Sequence, residues 1–499
     1  MRKKLSPLLL FEVSALIATV IFAVTMVVRT DGEHDLTPIT AEALATGPGH
    51  ERWFGFFLEE NHVGFSVNRT SPATMIDDDE IGTLYEQRSS FRIPVSGTIQ
   101  HVVTASAALV NSNQDLVRFD FFMSTDLVVI SARGQVLENE IEVELVAAGE
   151  TEVLRFPIDE PPHVALSLQS VVQAMEMRVG QRFSVPFFDP ATMSQGTMNM
   201  TVDDVEVLSN GEEAWWISTD FMGAQMEALM TSAGEIVRQE GSLGLSLRRM
   251  TAEEAQNIPT ADQAVDLISL AAAPLEGNIR RPRFTDRLTL RVSGVEPEQM
   301  THQPPLQRVV DNTIQIERAN LSELPDLPVA DLSESEWLGS TWTLTVGHEE
   351  IRAKALEVVG DARTRVEAVQ RLVDFVDNHV ENVPNIGVPH GLAVLRNARG
   401  DCNEHTTLFV SLARAAGIPS RIVAGLVYSI RAGTHPAFYY HAWPEVRLGG
   451  DMDWIPVDPT FGQFPADATH IKLVEGDLDR QVEIMSFMGR IGFELIEVE

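Results

Sequence analysis

The run Gly400-Asp401-Cys402-Asn403-Glu404-His405-Thr406-Thr407-Leu408-Phe409-Val410-Ser411-Leu412-Ala413-Arg414-Ala415-Ala416-Gly417-Ile418-Pro419 decides how the chain is read. Gly400 and Asp401 supply a tight entry, Gly417 a C-terminal stop, and Pro419 cannot continue a helix. Between them Leu408, Phe409, Val410, Leu412, Ala413, Ala415 and Ala416 leave almost no polar face, so the spacing predicts a helix buried in its own domain. Cys402 is the only cysteine of the 499 residues and falls in the first turn. There unpaired backbone N–H groups and the positive end of the helix dipole favour a thiolate.

Working outward, Ser420 to Tyr428 reads as a near-continuous apolar strand. Phe438 to Arg447 reads as the next, with His441, Trp443 and Glu445 on one face. Pro444 has no N–H to give a ladder, which predicts an edge or a bulge there. Trp454 to Val457 is a third strand ending at Asp458. Antiparallel neighbours would bring His441 beside Asp458. A helix-start Cys, then a His, then an Asp is the order a thiol nucleophile needs from a base and its orienter. A structural His, a turn Asp before Pro459 and an inert thiol are the plain readings of these residues singly; the conjunction favours chemistry. A zinc site using Cys402, His405 and His441 is the chemical rival, but it lacks a second Cys or a known ligand spacing.

The pattern resembles the transglutaminase-like superfamily of papain-fold cysteine enzymes. It is carried by Gly400-Asp401-Cys402, by Leu412 through Arg421, by His441-Ala442-Trp443 with Glu445-Val446, and by Trp454, Pro456-Val457-Asp458. The resemblance covers residues 345–475 and implies Cys402 as nucleophile, His441 as base and acid, and Asp458 as orienter. Asp401, Trp443 and Trp454 would support or wall the site. It implies thioester formation on a peptide or protein amide, resolved by water (favoured here) or by an amine. A side-chain oxyanion donor is open, with Asn385 and Asn397 as candidates beside the Cys402 N–H. No metal or other cofactor is expected, and the calcium dependence of some animal members is not carried over. The alternative is a non-catalytic envelope-binding or scaffold protein on the same fold.

The rest of the chain supplies the setting. Lys plus Arg number 37 against 72 Asp plus Glu, a net charge of −35, which argues against nucleic acid as a partner. Arg2, Lys3 and Lys4 precede an apolar run from Leu8 to Val28, interrupted by Glu12 near its start, about long enough to cross a bilayer core at 1.5 Å per residue. Acidic Asp31, Glu33 and Asp35 follow. Residues 1–29 are therefore expected to be a single-pass anchor in the cytoplasmic membrane, with the bulk of the chain on the periplasmic side and its substrate in the envelope. A cleaved signal peptide is the alternative. Residues 30–51 read as a tether. Residues 52–250 read as one or two antiparallel β-rich domains, with period-2 runs such as Phe119/Phe121, Ile141/Val143/Leu145 and Met198/Met200/Val202. A helix is expected over Leu166–Val179. Residues 251–345 read as a helical and small-sheet connector, 346–475 as an α+β papain-like catalytic domain, and 476–499 as a C-terminal extension.

Overall fold

The computed structural model describes residues 43–45, 50–75, 81–113, 115–173, 177–221, 224–259, 266–325, 327, 335–430, 435–449 and 454–499. The expected anchor and most of the tether lie outside them. Among the described residues no helix is long and apolar enough to cross a membrane. The chain divides into two compact units, meeting in sequence at Val265/Asp266.

The first unit is one antiparallel sheet. Fourteen strands run along a single path from Arg182–Asp189, through Leu245–Met250 and its partner His50–Leu58, to Glu150–Pro157. Chain neighbours pair as hairpins everywhere else on the path. The period-2 expectation holds: Phe119, Phe121, Ile141, Val143, Leu145, Met198, Met200 and Val202 are all buried. The two ends of the path approach each other through side chains, with the Phe156 and Phe188 rings 5.2 Å apart. His163 bridges to Phe187 on the other end strand. The helix expected over Leu166–Val179 is shorter, a 3-10 turn Ala165–Ser167 followed by one α-helical piece, Leu168–Gln173. A cavity of ≈ 50 Å³ edged by Met198, Met200, Met226 and Met230 remains inside, room for a water or two.

The second unit is α+β. Its longer helices are α1 (Glu349–Val359), α2 (Arg365–His379), α3 (Gly391–Asn397) and α4 (Cys402–Ala415). Its main sheet holds β1 (Ser420–Ser429), β2 (Ala437–Val446), β3 (Ile455–Pro456) and β4 (His470–Glu475), in the order β3-β2-β1-β4. Every residue of α4 from Cys402 to Ala413 is buried, as its apolar circumference requires. Leu408, Phe409 and Leu412 share one core with Val369, Leu372 and Val376 of α2, and with Ile422, Val446 and Ile455 of the sheet. Pro444 pairs with Ile422 on one side and lies just beyond the two-residue ladder with β3 on the other, the edge position that its missing N–H predicts; its carbonyl accepts the Val457 N–H at 2.8 Å.

The segments read separately as connector and C-terminal extension share a second sheet. Strand Gly492–Val498 lies between Leu275–Glu276 and Arg287–Ser293, and Thr313–Glu317 and Gln307–Val310 complete it.

Candidate active site

Asp401 is the N-cap of α4. Its carboxylate accepts the Asn403 N–H at 3.0 Å, while Glu404 reaches back to the Asp401 N–H at 2.8 Å, a reciprocal capping box. Gly400 holds φ +156°, and a Cβ there would collide with the Glu404 side chain, so the entry is built on glycine. Asn385 gives its amide to Glu404 Oε1 at 2.8 Å. It thus supports the cap; Asn397 is the last residue of α3. Both acids of the cap are fully buried. Burial, then the charge of Glu404, pushes the Asp401 carboxyl well up, and burial raises Glu404 as well. Cys402 follows as the first helical residue, 1% exposed.

His405 stands one turn later, its Nδ1 at 2.6 Å from the Asp401 carbonyl. Burial lowers its pKa to about 4, so the ring is neutral near pH 7. Asp458 raises and His441 lowers that titration, both less than burial does. Thr406 fixes the junction: its hydroxyl donates to the carbonyl of Ala442, the residue after His441, at 3.1 Å.

His441 lies on β2, paired across the ladder with Gly425 of β1. A Cβ on Gly425 would collide with the Ile471 carbonyl oxygen and come within 2.7 Å of the Trp443 ring, so the bare backbone is what lets these groups close in. The imidazole lies between Phe461, 5.3 Å away, and Trp443, 6.0 Å away, nearly parallel to both. Its Nε2 donates to Asp458 Oδ2 at 3.0 Å, and neither side chain is exposed. Burial lowers the pKa of His441, outweighing the pull of Asp458.

Asp458 sits two residues past β3 and is saturated with donors. Oδ1 takes the N–H groups of Thr460 (2.8 Å) and Phe461 (3.2 Å). Oδ2 takes His441 and a second imidazole, His470, also at 3.0 Å. Burial alone would raise this carboxyl; the two imidazoles, His441 first, hold it far below the usual carboxylate range. His441, Asp458 and His470 bring ligand-type atoms within 4.8 Å of one another. Their facing atoms hydrogen-bond to one another, so the trio forms a bonded row.

Residues 352–459 match the family model of the Transglutaminase-like superfamily. The chain carries a transglutaminase-like domain. The match spans α4, β1, β2 and β3 and ends one residue after Asp458, so it includes the helix-start Cys, the strand His and the Asp. No curated protein matches the chain. A protein from Cytophaga hutchinsonii described as a candidate cysteine protease is 15% identical over 43% of this chain and 86% of its own, with a TM-score of 0.28. A β-barrel-like protein from Brucella abortus, of a family of unknown function, is 9% identical over 41% of this chain and 96% of its own, at 0.31. A candidate protease from Parabacteroides distasonis is 11% identical over 74% and 68%, at 0.19.

The two tryptophans expected to wall the transglutaminase-like site differ from each other. Trp443 stacks on His441 as a wall should. Trp454 instead packs edge-on to Trp337 at 5.2 Å and under the Arg421 guanidinium at 4.2 Å. His470, Asp467 and Arg283 carry no sequence signal of their own. They arrive from the start of β4, the loop before it and a 3-10 turn at Pro282–Phe284, and only the fold gathers them.

Proposed function

We propose that the transglutaminase-like domain is a cysteine enzyme acting on peptide or protein amides. The observation that carries the reading is the buried His441 Nε2 to Asp458 bond, held beside the helix that Cys402 opens by the Thr406 contact to Ala442. With Nε2 given to Asp458, Nδ1 is the ring nitrogen for the thiol. Cys402 Sγ passes its proton to Nδ1 and bonds to the amide carbonyl carbon. The C–N bond then breaks as His441 returns that proton to the departing amine, leaving a thioester on Cys402. Water resolves it to an acid and the free thiol, or an amine resolves it to a new amide; hydrolysis is the favoured outcome for an envelope protein. In the same reading residues 8–28 anchor the chain, and the domain works on the periplasmic side.

The test is alkylation of the full-length protein against pH, read by intact mass. Cys402 and His441 are almost wholly buried, so the rate also reports opening of the site. Single labelling at Cys402 already below about pH 7, slowed in His441→Ala, is expected; an ordinary thiol reacts only near its pKa of about 8.5. Equal, slow labelling of both proteins would favour a non-catalytic binding module. Trapping a labelled peptide substrate with added amine, against water alone, separates transamidation from hydrolysis.

A further inference from the structure

His470 opens β4, eleven residues past the end of the family match, and is 4% exposed. Its ring is held at both nitrogens. Nε2 lies 3.0 Å from Asp458 Oδ2, the oxygen that His441 also uses. Nδ1 lies 3.0 Å from the backbone carbonyl of Asp467. A peptide carbonyl and a carboxylate accept hydrogen bonds and cannot donate them, so both nitrogens of His470 must carry protons. A neutral imidazole has only one N–H; this one is an imidazolium.

The groups around it are arranged for that charge. Asp467 Oδ1 lies 3.5 Å from Nδ1, and the Asp467 carboxylate is balanced on its far side by Arg283 at 2.9 Å. Lys472, on the same strand face, is neutralised by Glu445 and Glu475, each at 2.9 Å. The His441 ring lies 5.7 Å away, with Trp443 at 5.2 Å and Phe461 at 6.2 Å closing the apolar sides. Asp458 is thereby shared between a fixed cation and a base that changes its charge during turnover.

We propose that His470 is a positively charged positioning residue that acts on His441 through the carboxylate they share. The inference rests on the reading of Cys402 and His441 as nucleophile and base. By occupying Asp458 Oδ2 with a full positive charge, His470 makes that carboxylate a weaker partner for a protonated His441. It also opposes a second positive charge at that distance. Both effects keep His441 neutral in the resting site, ready to accept the thiol proton, and make it a stronger acid toward the leaving amine. Burial alone would push the His470 pKa down; Asp467, then Asp458, hold it up at about 9, so this state persists across the physiological range.

The experiment is ¹⁵N NMR of histidine-labelled full-length protein, with His441 and His470 assigned from their Gln variants. In the unaltered protein His470 should show two protonated nitrogens at pH 7.5 and titrate near 9, and the His441 signals should bend as it does so. In His470→Gln an amide donor can still reach Asp458 but the charge is gone, and the His441 midpoint should rise by about 1 pH unit. A neutral His470 at pH 7.5 would overturn the proposal, and that readout needs no variant to fold. An unmoved His441 midpoint in a folded Gln variant would also overturn it. Unmoved midpoints beside a reactive Cys402 would remove the role of His470 alone, whereas an inert Cys402 would remove the enzyme reading with it.

Discussion

At the scale of single residues, Asp458 is the group on which the site turns. Its four hydrogen-bond donors leave no room for a proton, and no amide can accept all four. Asp458→Asn must turn an N–H toward at least one of these donors. We expect the His441 ring to lose its fixed tautomer and turnover to fall by about 10³–10⁴-fold, by analogy with triads whose Asp becomes Asn, while the protein stays folded. Steady-state rates beside a melting curve would check it; a loss of less than tenfold would deny Asp458 its role. The same cluster sets how stability varies with pH. His470 is raised to about 9, so its contribution is complete below the ordinary 6.5 and is lost as pH rises through about 9. His405 is lowered to about 4 and His441 is lowered too, so below 6.5 the unfolded chain binds protons the native state refuses. Thermal stability should therefore fall as pH rises from about 7 through about 9, and His470→Gln should flatten that fall; a Tm rising steadily to pH 10 would contradict this.

At the scale of elements, the closeness of β1, β2 and β4 depends on a missing side chain. Gly425 faces His441 across one ladder and Lys472 across the other, next to an irregularity in register. Gly425→Ala would drive a methyl into the backbone carbonyl of Ile471, which cannot swing aside as a side chain can. We expect a loss of about 2–3 kcal/mol or more in denaturant unfolding, beyond a simple Gly-to-Ala exchange in a strand. A neutral result would mean the sheet opens there at little cost. What was legible in the sequence follows the same division. The helix with its stop at Gly417 and the alternation of His441, Trp443 and Glu445 come from short-range pattern, and the nearness of Asp458 to His441 from pairing strands that are neighbours in the chain. The pairing of Asp458 with His470 depends on β4 joining the far side of β1, a long-range pairing that no local pattern encodes. The edge at Pro444 was local too: a proline has no N–H for a ladder, and the ladder with β3 stops at Glu445.

At the scale of the whole molecule, the unit holding the site is completed by the last residues of the chain. Strand Gly492–Val498 is an inner strand of its sheet, bonded to Leu275–Glu276 on one side and Arg287–Ser293 on the other. Removing it would expose the edge of Arg287–Ser293 and uncover Leu288 and Leu290, neither of which is exposed at all. It would also remove Phe493, whose ring lies 4.9 Å from Phe438. Phe438 belongs to β2, three residues before His441, so the loss would loosen the strand that presents the base. A chain ending at Arg490 should therefore lose cooperative unfolding of the second unit. Among the described residues the first unit's sheet draws no strand from beyond Met250, and it should keep its own transition. Scanning calorimetry with limited proteolysis would show one transition retained and one lost. Two intact transitions in the truncated chain, with Cys402 labelled at the unaltered rate, would show that this strand is an addition to the transglutaminase-like unit rather than part of what holds it together.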